Sequence, residues 1–381
     1  MRMLVLGAGL QGSACAYDLL QNPDVKEVRL ADLHTAHLAD FLAPHSGKRL
    51  IFTPLDVRDK EAVLALMRQC DAAMSAIPYY FNFDLAEIAV QAGVHFCDLG
   101  GNTEIVFKQK TLDAAAKKKN ITVIPDCGLA PGMVNILAEH AIRQLDTVES
   151  VRIFVGGLPQ HPEPPLNYQI VYSLEGVLDY YTTLSWVLRG GKRTQVTALS
   201  EIEPIRFDGS VGELEGFHTA GGLSTMAFRY EGKIPTMEYK TLRYPGHAKI
   251  MEAIRELGLL ELNPVDVKGM KVVPRDLVVA AMGPRLTKPD AHDLVAMRVY
   301  AEGKKGGKAK RIGWEMVDYY DKKNEISAME RSTGYSLSIT GQMEARGEIG
   351  KAGVFTPDEA IPAEKYISEL AKRGVMIKPM K

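Results

Sequence analysis

The chain has 381 residues, a net charge of −1, 46% hydrophobic and 24% charged residues. That length is enough for two domains, each with its own core, and the near-neutral charge excludes a global field that would draw nucleic acid or an anionic membrane. Cysteines 15, 70, 97 and 127 form no C-x-x-C pair and read as reduced thiols of a cytoplasmic protein. No signal peptide is expected ahead of the first strand, and no apolar run reaches membrane-spanning length.

Met3-Leu4-Val5-Leu6 reads as a buried parallel strand, and Gly7-Ala8-Gly9-Leu10-Gln11-Gly12 follows at once, leading into a helical stretch through Leu20. A strand that turns tightly into a helix aims unpaired N–H groups and a positive dipole end at one spot. Gly7 permits the turn, Gly9 lets a pyrophosphate approach, and Gly12 lets helix and strand pack closely, with Leu10 and Gln11 completing the loop. A second strand, Glu27 to Ala31, ends in Asp32, about 20 residues past the last glycine, where a dinucleotide fingerprint expects an acid. A carboxylate there accepts hydrogen bonds from a ribose 2′-hydroxyl and repels a 2′-phosphate. Leu33 and His34 supply no arginine, so the expected cofactor is NAD rather than NADP.

Strand and helix signals alternate to about residue 126, the pattern of a parallel sheet covered on both faces. Leu50 to Leu55 is a third strand, closing at Asp56-Val57, where a dinucleotide fold meets the adenine. Ala72 to Ala76-Ile77 is a fourth, running into Pro78 and an aromatic loop at the carboxyl edge where ligands sit in open α/β sheets. Val94 to Asp98 ends in Gly100-Gly101 at the same edge, and Thr122 to Pro125 is the last strand before Asp126.

From about residue 148 the strands lengthen and alternate with period two, as in Val151, Ile153 and Val155 against Arg152 and Phe154. Val295–Ala301 and Gly313–Asp318 read as a hairpin about a solvated Lys/Arg-rich tip, residues 304–311. The fold class expected is α/β: a Rossmann-type doubly wound parallel sheet with a second α+β domain carrying a mostly antiparallel sheet. Residues 1–130 form the NAD-binding domain, completed by about 345–381, and 131–344 form the domain for substrate binding and oligomerisation. An antiparallel sheet leaves one face to be covered by helices or a second subunit, so a homodimer or larger homo-oligomer is expected.

In the second region Arg243, in the turn Arg243-Tyr244-Pro245-Gly246-His247, suits bidentate capture of a carboxylate, or else a structural ion pair. Thr219, Tyr244 and His247 are its candidate companions. His218, among glycines, suits a general base because imidazole titrates near neutrality, the alternative being a hydrogen-bonded structural histidine. Histidines and acids lack close metal-ligand spacing, so no metal is expected.

Several of these stretches together resemble the saccharopine dehydrogenase-like family. They are the glycine motif, Asp98-Leu99-Gly100-Gly101, residues 126–135 (Asp126-Cys127-Gly128-Leu129-Ala130-Pro131-Gly132 onward) and Arg243-Tyr244-Pro245-Gly246-His247. Residues 156–159, 164–168, 173–176 and 217–222 are similar to a lysine-oxidising branch of it, and the similarity runs nearly end to end. Asp208-Gly209-Ser210-Val211-Gly212 departs from the pattern. The resemblance implies NAD-dependent oxidative deamination of the ε-amine of L-lysine to 2-aminoadipate 6-semialdehyde, which cyclises to piperideine-6-carboxylate. It implies Arg243 on the α-carboxylate, the nicotinamide near Pro78, Gly100 and Asp126, and His218 as base with Asp126 or Glu175 as rivals. Saccharopine or carboxynorspermidine dehydrogenation, and NAD binding without turnover, are the competing readings.

Overall fold

A computed structural model of the protein describes residues 1–36, 38–171, 173–288 and 292–380. Its first sheet is built from β1 (Arg2–Leu6), β2 (Glu27–Asp32), β3 (Leu50–Pro54), β4 (Ala72–Ser75), β5 (His95–Asp98) and β6 (Thr122–Ile124). All pair in parallel, in the order β6-β5-β4-β1-β2-β3, and a returning segment, Gly353–Val354, adds beside β6. Continuous apolar residues form the inner strands because both faces are covered by crossover helices. Pro54 is tolerated because β3 is the edge strand. The order reverses between β1 and β4, so the loops after these two strands splay apart and open a crevice at their carboxyl ends.

Late in the chain, the helix Ala328–Ala345 lies against this first sheet. A Cβ on its Gly334 would strike Gln11 and Ala14, and one on Gly341 would strike Met74, so small residues allow the close approach. Asp18 ties the join: its buried carboxylate accepts hydrogen bonds from Ser338 (2.6 Å), Gln342 (3.3 Å) and Arg373 (2.6 Å).

The second sheet comprises β7 (Thr147–Pro159), β8 (Ser185–Arg189), β9 (Lys192–Val196), β10 (Glu203–Arg206), β11 (Glu213–His218) and β12 (Thr236–Arg243). After a small exposed hairpin, β13 (Val265–Val267) with β14 (Met270–Val272), the sheet continues with β15 (Asp293–Lys305) and β16 (Lys308–Tyr319). Its order is β10-β11-β12-β7-β15-β16, with β8 joining β12 to β9, and only β12 and β7 run parallel among these pairs. Gly306 and Gly307, with φ of 58° and 76°, close the lysine-rich β15–β16 hairpin. Seven of the eight residues of β12, Met237 through Arg243, are buried, so both of its faces are covered. Among the described residues no helix is long and apolar enough to cross a membrane.

The Asp18 junction is testable. Asp18→Ala removes the acceptor shared by Ser338, Gln342 and a largely buried Arg373, and should cost about 3 kcal/mol. Thermal melts of the two proteins should differ by several degrees, with Asp18→Asn falling between.

Candidate active site

The crevice begins at the glycine loop. Gly7 adopts φ 98°, where a Cβ would meet Ala76 and Ile77, and a Cβ on Gly12 would strike the Gly7 carbonyl. Gly9, by contrast, faces open space at the start of the Leu10–Gln21 helix, which leaves room for a phosphate against the helix N–H groups. Beside it lies a cleft of about 370 Å³ lined by Gly7, Asp32, Asp56, Val57, Ile77 and Pro78. Asp32 is half-buried at its rim and accepts from the backbone N–H of Ala8 (2.7 Å) and His34 (2.8 Å). These residues form a cradle that fits the adenosine and pyrophosphate of a dinucleotide.

Farther along the same edge, Gln11, Leu99 and Gly100 pass into a cavity of about 220 Å³ between the two sheets. Gly100 sits at φ 64°, and a Cβ there would collide with the Asp126 carboxylate. Asp126 is itself in the left-handed region (φ 63°) and buried. Its carboxylate accepts from the Gly101 N–H (3.0 Å) and from the Ser224 hydroxyl. Burial raises its pKa to about 6, with the Ser224 and Gly101 hydrogen bonds opposing.

The far wall comes from β7, which contributes Val155 and Gly157, and from β12, which contributes Tyr239, Thr241 and Arg243. These three β12 residues share a face because strand side chains alternate. Arg243 is fixed by its Nη1, which donates to the carbonyls of Leu242 (2.8 Å) and Gly157 (3.4 Å), and its guanidinium lies 4.7 Å from the Tyr168 ring centroid. Arg243 is the one cationic side chain among the described residues lining the cavity. Thr219 stands one step behind, its hydroxyl 2.7 Å from that of Thr241. Tyr180, on the helix Leu174–Thr182, closes one side.

Three sequence expectations are corrected. His218 pairs in register with Lys240, so it projects from the opposite face of the sheet, away from the cavity. There it is fully buried, its Nε2 3.2 Å from Glu201 and its Nδ1 3.2 Å from the Tyr239 carbonyl, and burial lowers its pKa. Arg189 bonds Glu201 (2.8 Å) and Glu238 (2.7 Å) in the same group, Arg152 bonds Glu238 (2.6 Å) and Lys240 bonds Glu203 (2.6 Å), so His218 belongs to a charge lattice. Glu201, His218 and Glu238 present ligand atoms within 4.8 Å of one another, but both carboxylates are already ion-paired, Glu201 with Arg189 and Glu238 with Arg189 and Arg152. His247 is also structural: its Nε2 is 2.9 Å from the Tyr181 hydroxyl, its Nδ1 3.1 Å from the Leu166 carbonyl, and burial pushes its pKa down to about 3. Tyr244 donates to the Pro159 carbonyl (3.0 Å) and packs on the cluster around Leu158 and Leu242.

Glu175 is exposed in the first turn of its helix. Of the three acid–base candidates, Asp126 is the one whose carboxylate lies against the cavity-lining Gly100. Tyr180, Tyr239 and Thr241 were missed by the sequence reading. Stepping back two residues at a time from Arg243 along β12 finds the last two.

Comparison with known proteins follows the same division. Residues 3–124 match the saccharopine dehydrogenase NADP binding domain, and 128–375 match the saccharopine dehydrogenase C-terminal domain. The mouse mitochondrial alpha-aminoadipic semialdehyde synthase is 28% identical over 273 residues, which span 68% of this chain but 28% of the mouse protein. The glutamate-forming, NADP(+) saccharopine dehydrogenase of Saccharomyces cerevisiae is 24% identical over 314 residues, 77% of this chain and 66% of the yeast protein. Among solved structures, the apo form of glutamate-forming yeast saccharopine dehydrogenase superposes with a TM-score of 0.81 at 21% identity, covering 100% of this chain and 99% of that one. Homospermidine synthase from Legionella pneumophila, in complex with NAD, gives 0.70 at 12% identity, covering 100% and 91%. The N-terminal sheet is thus a nicotinamide-dinucleotide-binding domain, and the chain belongs to the saccharopine dehydrogenase family.

Proposed function

We propose that the protein is an NAD-dependent lysine 6-dehydrogenase, oxidising the ε-amine of L-lysine to 2-aminoadipate 6-semialdehyde with release of ammonia. The observation that carries this reading is the 220 Å³ cavity, whose described lining holds a single cation, Arg243, together with Leu99 and Gly100 from the crevice edge. One guanidinium suits one α-carboxylate, held by paired charge-assisted hydrogen bonds. Saccharopine carries further carboxylates that this lining leaves without a cation. A bound dinucleotide would supply the hydride acceptor, so that ammonium, oxidised dinucleotide and water give aldehyde, ammonia, reduced dinucleotide and protons.

Within that balance the chain's own residues have separate tasks. Gly9, Leu10 and the helix they begin hold the pyrophosphate. Asp32 accepts from the adenosine ribose, which favours NAD. The nearest arginine lining that cleft, Arg58, is tied to Asp56 at 2.6 Å. Arg243 anchors the substrate, while Leu99, Leu129 and Val155 keep the reacting carbon in apolar surroundings. Asp126, behind Gly100, supplies a negative charge near the amine nitrogen as it becomes iminium-like.

The direct test is dinucleotide reduction with lysine alone against saccharopine alone. Lysine should support turnover and saccharopine should not; the reverse result sinks the reading. Arg243→Ala should raise KM for lysine, lowering kcat/KM by about 30-fold or more, and cadaverine should be a poor substrate of the wild type. Asp126 is required as the anion, which forms above its raised pKa. The kcat profile should therefore climb through about pH 6. Asp126→Asn should abolish that limb and lower kcat by on the order of 10²–10⁴. Asp32→Ser combined with Leu33→Arg should move preference toward NADP, measured as the ratio of kcat/KM for the two dinucleotides.

A further inference from the structure

One side chain stands between the cavity and a neighbouring surface cleft. Tyr180 lines the cavity that contains Arg243. Adjoining it is a surface cleft of about 350 Å³, bordered by Gly101 and Gly221 and lined with the polar side chains of Asn102, Thr183, Ser185 and Gln195 and with one exposed carboxylate, Glu104. The described lining of this cleft contains no lysine or arginine. The tyrosine ring is fitted against the two glycines: a Cβ on Gly101 would stand 3.0 Å from its hydroxyl, and one on Gly221 3.3 Å from its Cε1. The ring thus occupies a slot that the missing side chains of two neighbouring loops leave open.

We propose that Tyr180 is the specificity-determining wall behind the reacting nitrogen. It confines the site to primary amines, and the cleft beyond it, with one carboxylate and no cationic side chain in its described lining, suits a polar substituent without negative charge on that nitrogen. This rests on the reading of the cavity as an amine-oxidising site. A secondary amine obeys the same balance. Hydride leaves the carbon for the dinucleotide, water adds to the imine, and the C–N bond breaks to give the aldehyde and a primary amine instead of ammonia.

The test compares wild type, Tyr180→Ala and Tyr180→Phe, with lysine and Nε-(2-hydroxyethyl)-lysine as substrates. The preference for lysine, as a ratio of kcat/KM values, should fall by about tenfold or more in Tyr180→Ala, the scale on which pocket size discriminates. Tyr180→Phe keeps the ring and should keep the preference. A second readout needs no turnover: with reduced dinucleotide present, the substituted lysine should raise the melting temperature of Tyr180→Ala but not of wild type. Where the alanine variant does not fold, Tyr180→Leu is measured in the same two ways. An unchanged preference with no thermal shift, or a phenylalanine variant as permissive as the alanine one, overturns the proposal. A wild type inert toward lysine would overturn the functional reading instead, and the thermal shift would still decide the role of Tyr180.

Discussion

The arrangement depends on the alternation of β12 inside a sheet covered on both faces. Every second side chain of this strand goes one way, so Tyr239, Thr241 and Arg243 meet the dinucleotide domain while Glu238 and Lys240 meet Arg152, Glu203 and Arg189. A register shift of one residue would exchange the two sets. The charge lattice holds that register, because slipping it would strand several buried charges without partners. The cavity wall and the lattice are two sides of one strand, and the lattice fixes the position of Arg243 from the opposite face.

The other half of the site comes from the parallel sheet. Its strands β1 and β4 diverge at the switch point, and β5 and β6 deliver Gly100 and Asp126 to the same edge. Gly100 is required there because the Asp126 carboxylate fills the volume a side chain would take. Asp126 is in turn held by a donor from each domain, the Gly101 N–H and the Ser224 hydroxyl. Asp126 therefore links the two sheets at the edge of the cavity.

Much of this was legible in the sequence because it is local. Gly7, Asp32 and the strand-ending pairs Asp56-Val57 and Ile77-Pro78 line one cleft at the carboxyl edge of the sheet. The β15–β16 hairpin follows from its glycine pair and flanking alternation. His218, His247 and Tyr244 misled because residue type says nothing about which face of a sheet a side chain takes. His218 lies one residue from Thr219, yet its Nε2 meets Glu201 while the Thr219 hydroxyl meets Thr241 on the cavity side. Tyr180 carried no local signal, since its position against Gly101 and Gly221 is set by contacts distant in sequence. The packing of the Ala328–Ala345 helix against Gln11 and Met74 was invisible for the same reason.

The central claim is that substrate sits between the β12 face bearing Arg243 and the edge bearing Gly100. A crystal structure of the complex with reduced dinucleotide and lysine tests it most directly. The account predicts the lysine α-carboxylate on the Arg243 guanidinium and its ε-carbon facing the nicotinamide beside Leu99 and Gly100. Lysine bound instead against His218 and Glu201, on the other face of the sheet, would contradict it.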